Sequence, residues 1–333
     1  MYEIKLARED DIPDLINFFR KVYRPGHIIG EKEYLDWQYL NAPGNILYSN
    51  YPNLILKKGD DIVGHLGLIP YKFNFFGKPK NGAFLASLIV NKDLRSHGAG
   101  VMLVREAEKY FDILYTTGFS PSSEPVFKLC GWQEARDMTR CIHSCGKGDQ
   151  FSDDGNVVLI SRFGKEWDDF WQKFKKNYNV TTDRSSAYLN WRFCDNPKIK
   201  YHIFGRDSGG IGGYIVLRIE NGNDFTGCRI VDLVADDKNL GSLLKFAVIF
   251  AASQKADFAD FFSFPEIYDE GLLETGFYRY NPNINNDPPI FILPTDRKKL
   301  TLNFSYKIIG EQDKISPSDW FVVKSDGDRD RAY

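Results

Sequence analysis

Residues 82 to 110 carry the sharpest change of hydrophobic period in the chain. Gly82-Ala83-Phe84-Leu85-Ala86-Ser87-Leu88-Ile89-Val90 is an apolar run of strand length. A polar loop, Asn91-Lys92-Asp93-Leu94, and a glycine-punctuated turn, Arg95-Ser96-His97-Gly98-Ala99-Gly100, follow it. From there Val101, Val104 and Ala107, with Leu103 and Tyr110, recur at three-to-four spacing, which predicts a helix opening directly from the turn.

The same patterning predicts the neighbouring elements. Residues 1 to 6 alternate like an edge strand. Residues 9 to 22 form an amphipathic helix with acids in its first turn and bases in its last, broken by Tyr23-Arg24-Pro25-Gly26-His27. A second helix carries Tyr34 to Tyr39 and stops before Asn41-Ala42-Pro43-Gly44. Strands at 53 to 58 and 62 to 69 flank the turn Gly59-Asp60-Asp61, and 71 to 76 continue the sheet. A strand at 112 to 117, a short helix at 123 to 129 ending in Cys130-Gly131-Trp132, and a strand at 136 to 143 follow. The polar, glycine-rich segment 146 to 156 reads as a linker, and Trp320 to Val323 as a last strand.

The second half repeats the first. Tyr34-Leu35-Asp36-Trp37-Gln38-Tyr39, with Asn41 and Pro43, returns 154 positions later as Tyr188-Leu189-Asn190-Trp191-Arg192-Phe193, with Asp195 and Pro197. Ile62-Val63-Gly64-His65 returns at 211 to 214, Ser87-Leu88-Ile89-Val90 as Asp232-Leu233-Val234-Ala235, and Gly131-Trp132 as Gly276-Phe277.

A strand that feeds a helix through glycines leaves backbone N–H groups pointing one way, adds the helix dipole, and lets the backbone approach a phosphate closely. The spacing is that of neither a nucleotide P-loop nor a dinucleotide fingerprint. It is Arg95-x-x-Gly98-x-Gly100, which, set between this strand and helix and in this order of elements, resembles the acyl-coenzyme A loop of the GCN5-related N-acetyltransferase (GNAT) superfamily. The resemblance implies an α/β fold of two tandem GNAT-like domains, each a mixed twisted sheet flanked by helices: residues 1–145, a linker 146–156, and a degenerate copy at 157–333. The second copy has Leu240, Leu243 and Lys245 where the first has Arg95, Gly98 and Gly100, and Asp236-Asp237 enters its helix. It is expected not to bind coenzyme A.

The resemblance further implies transfer of an acyl group from acyl-CoA, acetyl-CoA first among them, to the amine of a small molecule by direct attack in a ternary complex. The donor would be held by the main chain of Leu88, Ile89 and Val90 and by Arg95, Ser96, His97, Gly98, Ala99, Gly100 and Val101, with Ser120 and Ser122 beside it. An oxyanion would fall to the main-chain N–H of Ile89 or Val90. The tyrosine that the family often places four residues before the Gly-aromatic pair is Phe127 here. Tyr115, Ser120 or Ser122 stand as alternative acids, and His65 and Asp232 as candidate bases. A Trp strand followed by Asp326-x-Asp328-x-Asp330 also resembles tandem GNAT proteins of surface-polysaccharide pathways, which makes an amino sugar one candidate acceptor. The alternative for that segment is a solvated charged terminus, and calcium is disfavoured because the closing Glu of an EF-hand loop is missing. Two other functions remain: a FemABX-like aminoacyl or peptidyl transferase, and a non-catalytic coenzyme-binding scaffold.

Composition narrows these choices. The 333 residues are 43% hydrophobic and 26% charged, with a net charge of −2. No basic face for nucleic acid is implied, which also counts against the FemABX alternative. Five cysteines, an odd number, read as free thiols in a reducing, cytoplasmic setting. Cys141-Ile142-His143-Ser144-Cys145 has no second ligand pair at zinc spacing, so no metal is expected. No signal peptide or apolar run long enough for a bilayer is visible, so no membrane partner is expected. Two copies that pair as a pseudo-dimer would give a monomer or a weak homodimer.

Overall fold

In the computed structural model the described residues are 2–48, 50–134, 137–146, 155–207, 211–281, 283, 288–292, 295–296, 301–310 and 315–330. Most of the predicted linker, 147–154, lies outside them.

The first half runs β1 (Tyr2–Ala7), α1 (Ile12–Val22), α2 (Lys32–Leu35) continued by a π turn (Asp36–Leu40), β2 (Tyr51–Lys58), β3 (Asp61–Phe75), β4 (Lys78–Val90), α3 (Ala99–Ala107), β5 (Ile113–Thr117), α4 (Glu124–Leu129) and β6 (Thr139–Ser144). The second half repeats this order. It runs α5 (Lys165–Phe174), β7 (Val180–Thr182), α6 (Ser186–Leu189) continued by a π turn (Asn190–Cys194), β8 (His202–Asp207), β9 (Ile211–Asn221), β10 (Thr226–Ala235), α7 (Asp237–Ser253), β11 (Phe258–Phe264) and α8 (Asp269–Glu274). Two more strands, β12 (Phe304–Ile308) and β13 (Trp320–Val323), complete the set used here. The fold is the expected α/β arrangement of mixed sheet and flanking helices.

The strand predicted as two pieces is one, β3, in spite of Pro70. β2 pairs with β3 only as far as Gly67, and β7 pairs from Phe73, so the flank at Pro70 calls for no N–H donor.

The halves meet about a pseudo-two-fold axis. Trp37 and Trp191 stack with ring centroids 5.2 Å apart. Each indole N–H donates to the other's carbonyl oxygen, Trp37 to Trp191 at 2.8 Å and Trp191 to Trp37 at 2.7 Å. The repeated π turns present both rings, so the sequence repeat has become a symmetric contact.

The halves also exchange strands. β6 leaves the first half to pair antiparallel with β11, and β12 leaves the second to pair antiparallel with β5. β13 lies between β7 and β11 and joins the two sheets into one of 16 strands among the described residues. The sheets therefore interleave across the division expected at 145.

The segment after β13 is not a solvated tail. Asp326, Asp328 and Asp330 are all buried. Arg184 bonds Asp326 at 2.6 Å and Asp232 at 3.2 Å, and Arg192, beside Trp191, bonds Asp330 at 2.6 Å and the Ser325 carbonyl at 3.1 Å. Each carboxylate here needs a guanidinium, because an unpaired buried charge is costly.

Candidate functional site

The site grows from a defect in the sheet. Parallel strands β4 and β5 pair only at Gly82–Phe84 with Ile113–Tyr115. Further on, the pairing of β4 with β3 is interrupted by a bulge between the partners of His65 and Gly67, and Ser87 there takes φ 54°. A bulge bends its strand, and β4 turns away from β5. Thr116 Oγ1, donating to the Leu85 carbonyl at 3.0 Å, is the last tie recorded before they part.

The gap is a cleft of about 280 Å³ lined by Leu88, Ile89 and Val90 of β4, Val22 of α1, Arg95, Gly100, Ser120, Ser122, Ser123 and Val126. Its main-chain wall can be read from the ladder. The Asn91 N–H donates to the Val63 carbonyl of β3 at 2.9 Å. Strand N–H groups alternate sides, so the Ile89 N–H faces β3 and the Val90 N–H faces the cleft.

The loop after β4 is a 3-10 turn, Lys92–His97, closed by Gly98 at φ 73°. Gly98 is the N-cap of α3. Glycine has no side chain to bond the first-turn N–H groups, so the helix end stays open to an anion. A Cβ on Gly98 would meet nothing within 4 Å, so its backbone angle, not space, calls for glycine. A Cβ on Gly100 would lie 3.3 Å from Val126, where α3 and α4 approach. Arg95 Nε donates to the Val90 carbonyl at 3.1 Å and ties the loop to the end of β4. Ser96 and His97 are exposed on this turn, and Ala99 and Gly100 are buried where α3 begins.

The second half fills the same two places with its own atoms. The N-cap of α7 is Asp236, whose carboxylate accepts from the Asn239 N–H at 3.0 Å. Tyr268, half-buried at φ 61°, accepts from the Ala235 N–H at 3.3 Å. Ala235 answers to Val90, and Tyr268 to Ser123, at the offset of 145. One copy offers an open helix end and a free strand edge; the other closes both with a carboxylate and a phenol.

Of the five residues named for proton handling, Ser120 and Ser122 line the cleft, whereas His65, Tyr115 and Asp232 are core residues that do not. His65 Nε2 meets Asn53 Oδ1 at 2.7 Å and Nδ1 meets the Ser87 carbonyl at 3.0 Å. Burial lowers its pKa to about 4. Tyr115 donates to the Asp326 carbonyl, and burial raises its pKa well above the usual phenol value. Asp232 lies against Arg184; burial pushes its carboxyl up, against the pull of that guanidinium. In this structure each of the three is bonded inside the core, away from the cleft. Phe127 is buried against Phe119 and Trp132 and can donate nothing.

The pattern missed Tyr23. It looked like a helix breaker, yet its hydroxyl donates to Ser87 Oγ at 3.0 Å and its ring lies 4.5 Å from that of His27. Beside it, Phe19, Arg20, Arg24, Gly26, His27, Gly30 and Glu31 line a cavity of about 200 Å³. Arg329, from the far end of the chain, donates to the Thr117 carbonyl at 2.9 Å, at the end of β5.

Among the described residues no three His, Cys, Asp or Glu are placed to share a metal ion, and no helix is long and apolar enough to cross a membrane.

Residues 12–116 match the model of the acetyltransferase (GNAT) family. No curated protein matches the sequence. Among solved structures the fold is similar to a GCN5-related N-acetyltransferase from Anabaena variabilis, with a TM-score of 0.65 at 14% identity over 93% of this chain and 73% of that one. It is similar to another from Kribbella flavida, with a TM-score of 0.58 at 12% identity over 93% and 71%. It is also similar to N-myristoyltransferase from Saccharomyces cerevisiae with bound myristoyl-CoA, with a TM-score of 0.55 at 12% identity over 92% and 82%. Residues 12–116 therefore match the acetyltransferase (GNAT) family model, and the molecule as a whole is folded like GCN5-related N-acetyltransferases.

Proposed function

We propose that this protein is an acyl-CoA-dependent N-acyltransferase that binds its donor in the β4–β5 cleft of the first half. The observation that carries this reading is the contrast between the copies: the glycine-capped helix end and open strand edge exist only where the family model matches. The pyrophosphate would sit on the N–H groups from Arg95 to Val101. The pantetheine arm would run back along β4 as an added strand, with the Val90 N–H as one partner. The thioester then falls at the far end of the arm, near Leu88, whose N–H is offered to the developing oxyanion in preference to that of Ile89.

The amine attacks the thioester carbon, the tetrahedral intermediate collapses, and the C–S bond breaks to leave an amide and a thiol. Acetyl is the acyl group to test first. An amino sugar is the first acceptor to test, on the strength of the sequence resemblance alone. Binding of the donor without transfer is a second reading, favoured by the absence of a hydroxyl at Phe127.

Calorimetric titration of acetyl-CoA into the parent and into Gly100→Trp tests the donor site. The parent should bind one equivalent, and the indole should abolish binding by filling the space beside Val126. No binding by the parent would sink the reading, and unchanged binding by the variant would sink the placement of the donor. Thiol release across amino sugars, amino acids and polyamines separates transfer from binding alone.

A further inference from the structure

Collapse of the tetrahedral intermediate leaves a thiolate that needs a proton. The usual position for a donor is Phe127, and Tyr115 is sealed in the core with its hydroxyl committed to Asp326. Ser120, Ser122 and Ser123 bond one another at 2.8 and 3.1 Å, and aliphatic hydroxyls are weak acids. We propose that Tyr23 is the general acid of the reaction, an assignment that rests on the acyltransferase reading above.

The geometry supporting it is local. Val22, the residue before Tyr23, lines the donor cleft together with Leu88, Ile89 and Val90. The Tyr23 hydroxyl lies 3.0 Å from Ser87 Oγ, and Ser87 is the bulge residue that precedes Leu88. The phenol thus lies at Ser87, next to the stretch of β4 where the arm would end, without itself lining the cleft in this structure, and its half-buried ring is held between Phe19 and His27. Ser87 is a non-glycine residue in the left-handed region, a conformation that persists only where its surroundings enforce it. A phenol O–H is a better proton donor than an aliphatic hydroxyl and can pass its proton to an alkyl thiolate.

The step balances. The amine nitrogen bonds to the thioester carbon. As the C–S bond breaks, its electron pair stays on sulfur, and sulfur takes the proton from Tyr23 Oη. The phenolate then takes the proton that the attacking nitrogen gives up, which returns the enzyme to its starting form. Ser87 holds the phenol in place and is a positioning residue.

The test compares parent, Tyr23→Phe and Ser87→Ala as full chains. Acetyl-CoA affinity is measured by calorimetry, and thiol release is followed with hydroxylamine, glucosamine and spermidine as acceptors between pH 6 and 11. Tyr23→Phe keeps the ring contacts, so its affinity for acetyl-CoA should stay within about twofold. Its kcat should fall by about 100-fold or more, as for loss of a general acid. The parent's kcat should decline at high pH as the phenol ionises, and this limb should vanish in Tyr23→Phe. Ser87→Ala should lose about tenfold in kcat and keep the limb. An unchanged kcat in Tyr23→Phe, or a limb that survives in it, overturns the assignment while leaving the donor site standing. A parent that binds acetyl-CoA but releases no thiol with any of the three acceptors also overturns it. A parent that does not bind acetyl-CoA overturns the acyltransferase reading and this assignment together.

Discussion

Burial holds the His65 imidazole neutral with a pKa near about 4, whereas a histidine in an unfolded chain titrates near about 6.5. Between those values the unfolded chain binds the extra proton, so stability is complete above the upper value and falls as the pH drops toward the lower one. Urea unfolding at pH 7.5 and pH 5 should show the parent losing about 2 kcal/mol more than His65→Gln over that interval. Equal losses would mean that the imidazole is not held neutral by burial. The same residue shows what a sequence can and cannot display. His65, Tyr115 and Asp232 were visible as titratable groups, two of them at repeated positions, but burial arises from packing by remote segments. Asn53 lies 12 positions from His65, and Asp326 lies 211 positions from Tyr115. Tyr23 was hidden for the same reason, since its partner Ser87 is 64 positions away. By contrast, Gly98 was legible, because a left-handed helix cap is a local demand that few residues other than glycine meet.

At the level of elements, the periodicities located the helices and strands of the first copy, and the repeat carried the reading to matching stretches of the second. The stretches 62–69 and 71–76 form one strand through Pro70 because the flank it occupies is set by where β2 stops and β7 starts, which no local pattern records. The repeat also explained the Arg95–Gly100 loop by contrast with α7, but it did not reveal how the second copy is closed. Tyr268 and Asp236 do that, and their effects can be separated. Tyr268→Ala removes a half-buried aromatic ring packed against Phe261 and Phe321, for which the expected loss is about 1–3 kcal/mol in urea unfolding. Calorimetry on the same variant should still find a single acetyl-CoA per chain, because the Asp236 carboxylate continues to cap α7 and Leu240 and Leu243 remain under it. A second equivalent would show that Tyr268 alone shuts the second cleft.

At the scale of the molecule, the halves cannot be cut apart along the repeat. β5 takes its outer partner, β12, from beyond residue 300, and β11 takes β6 from before residue 145. Removing either partner exposes a strand edge with unpaired N–H and carbonyl groups. Trp37 and Trp191 would each lose a stacked ring and an acceptor for a buried indole N–H. Arg184 and Arg192 would keep their carboxylate partners in a fragment 157–333, but Tyr115 in a fragment 1–145 would lose the Asp326 carbonyl, and β3 would lose β7. A fragment 1–145 should therefore lack a cooperative unfolding transition and sharp near-ultraviolet circular dichroism, although it holds the whole family-model match. Mixing it with 157–333 should restore both signals and acetyl-CoA binding, because every exchanged strand is then present. The intact chain should unfold in one transition followed equally by tryptophan fluorescence and circular dichroism, since β13 ties the sheets together. A fragment 1–145 that folds alone with a steep transition would show that the exchange is dispensable, and that the second half serves the first by shaping the acceptor side of its cleft and not by completing its sheet.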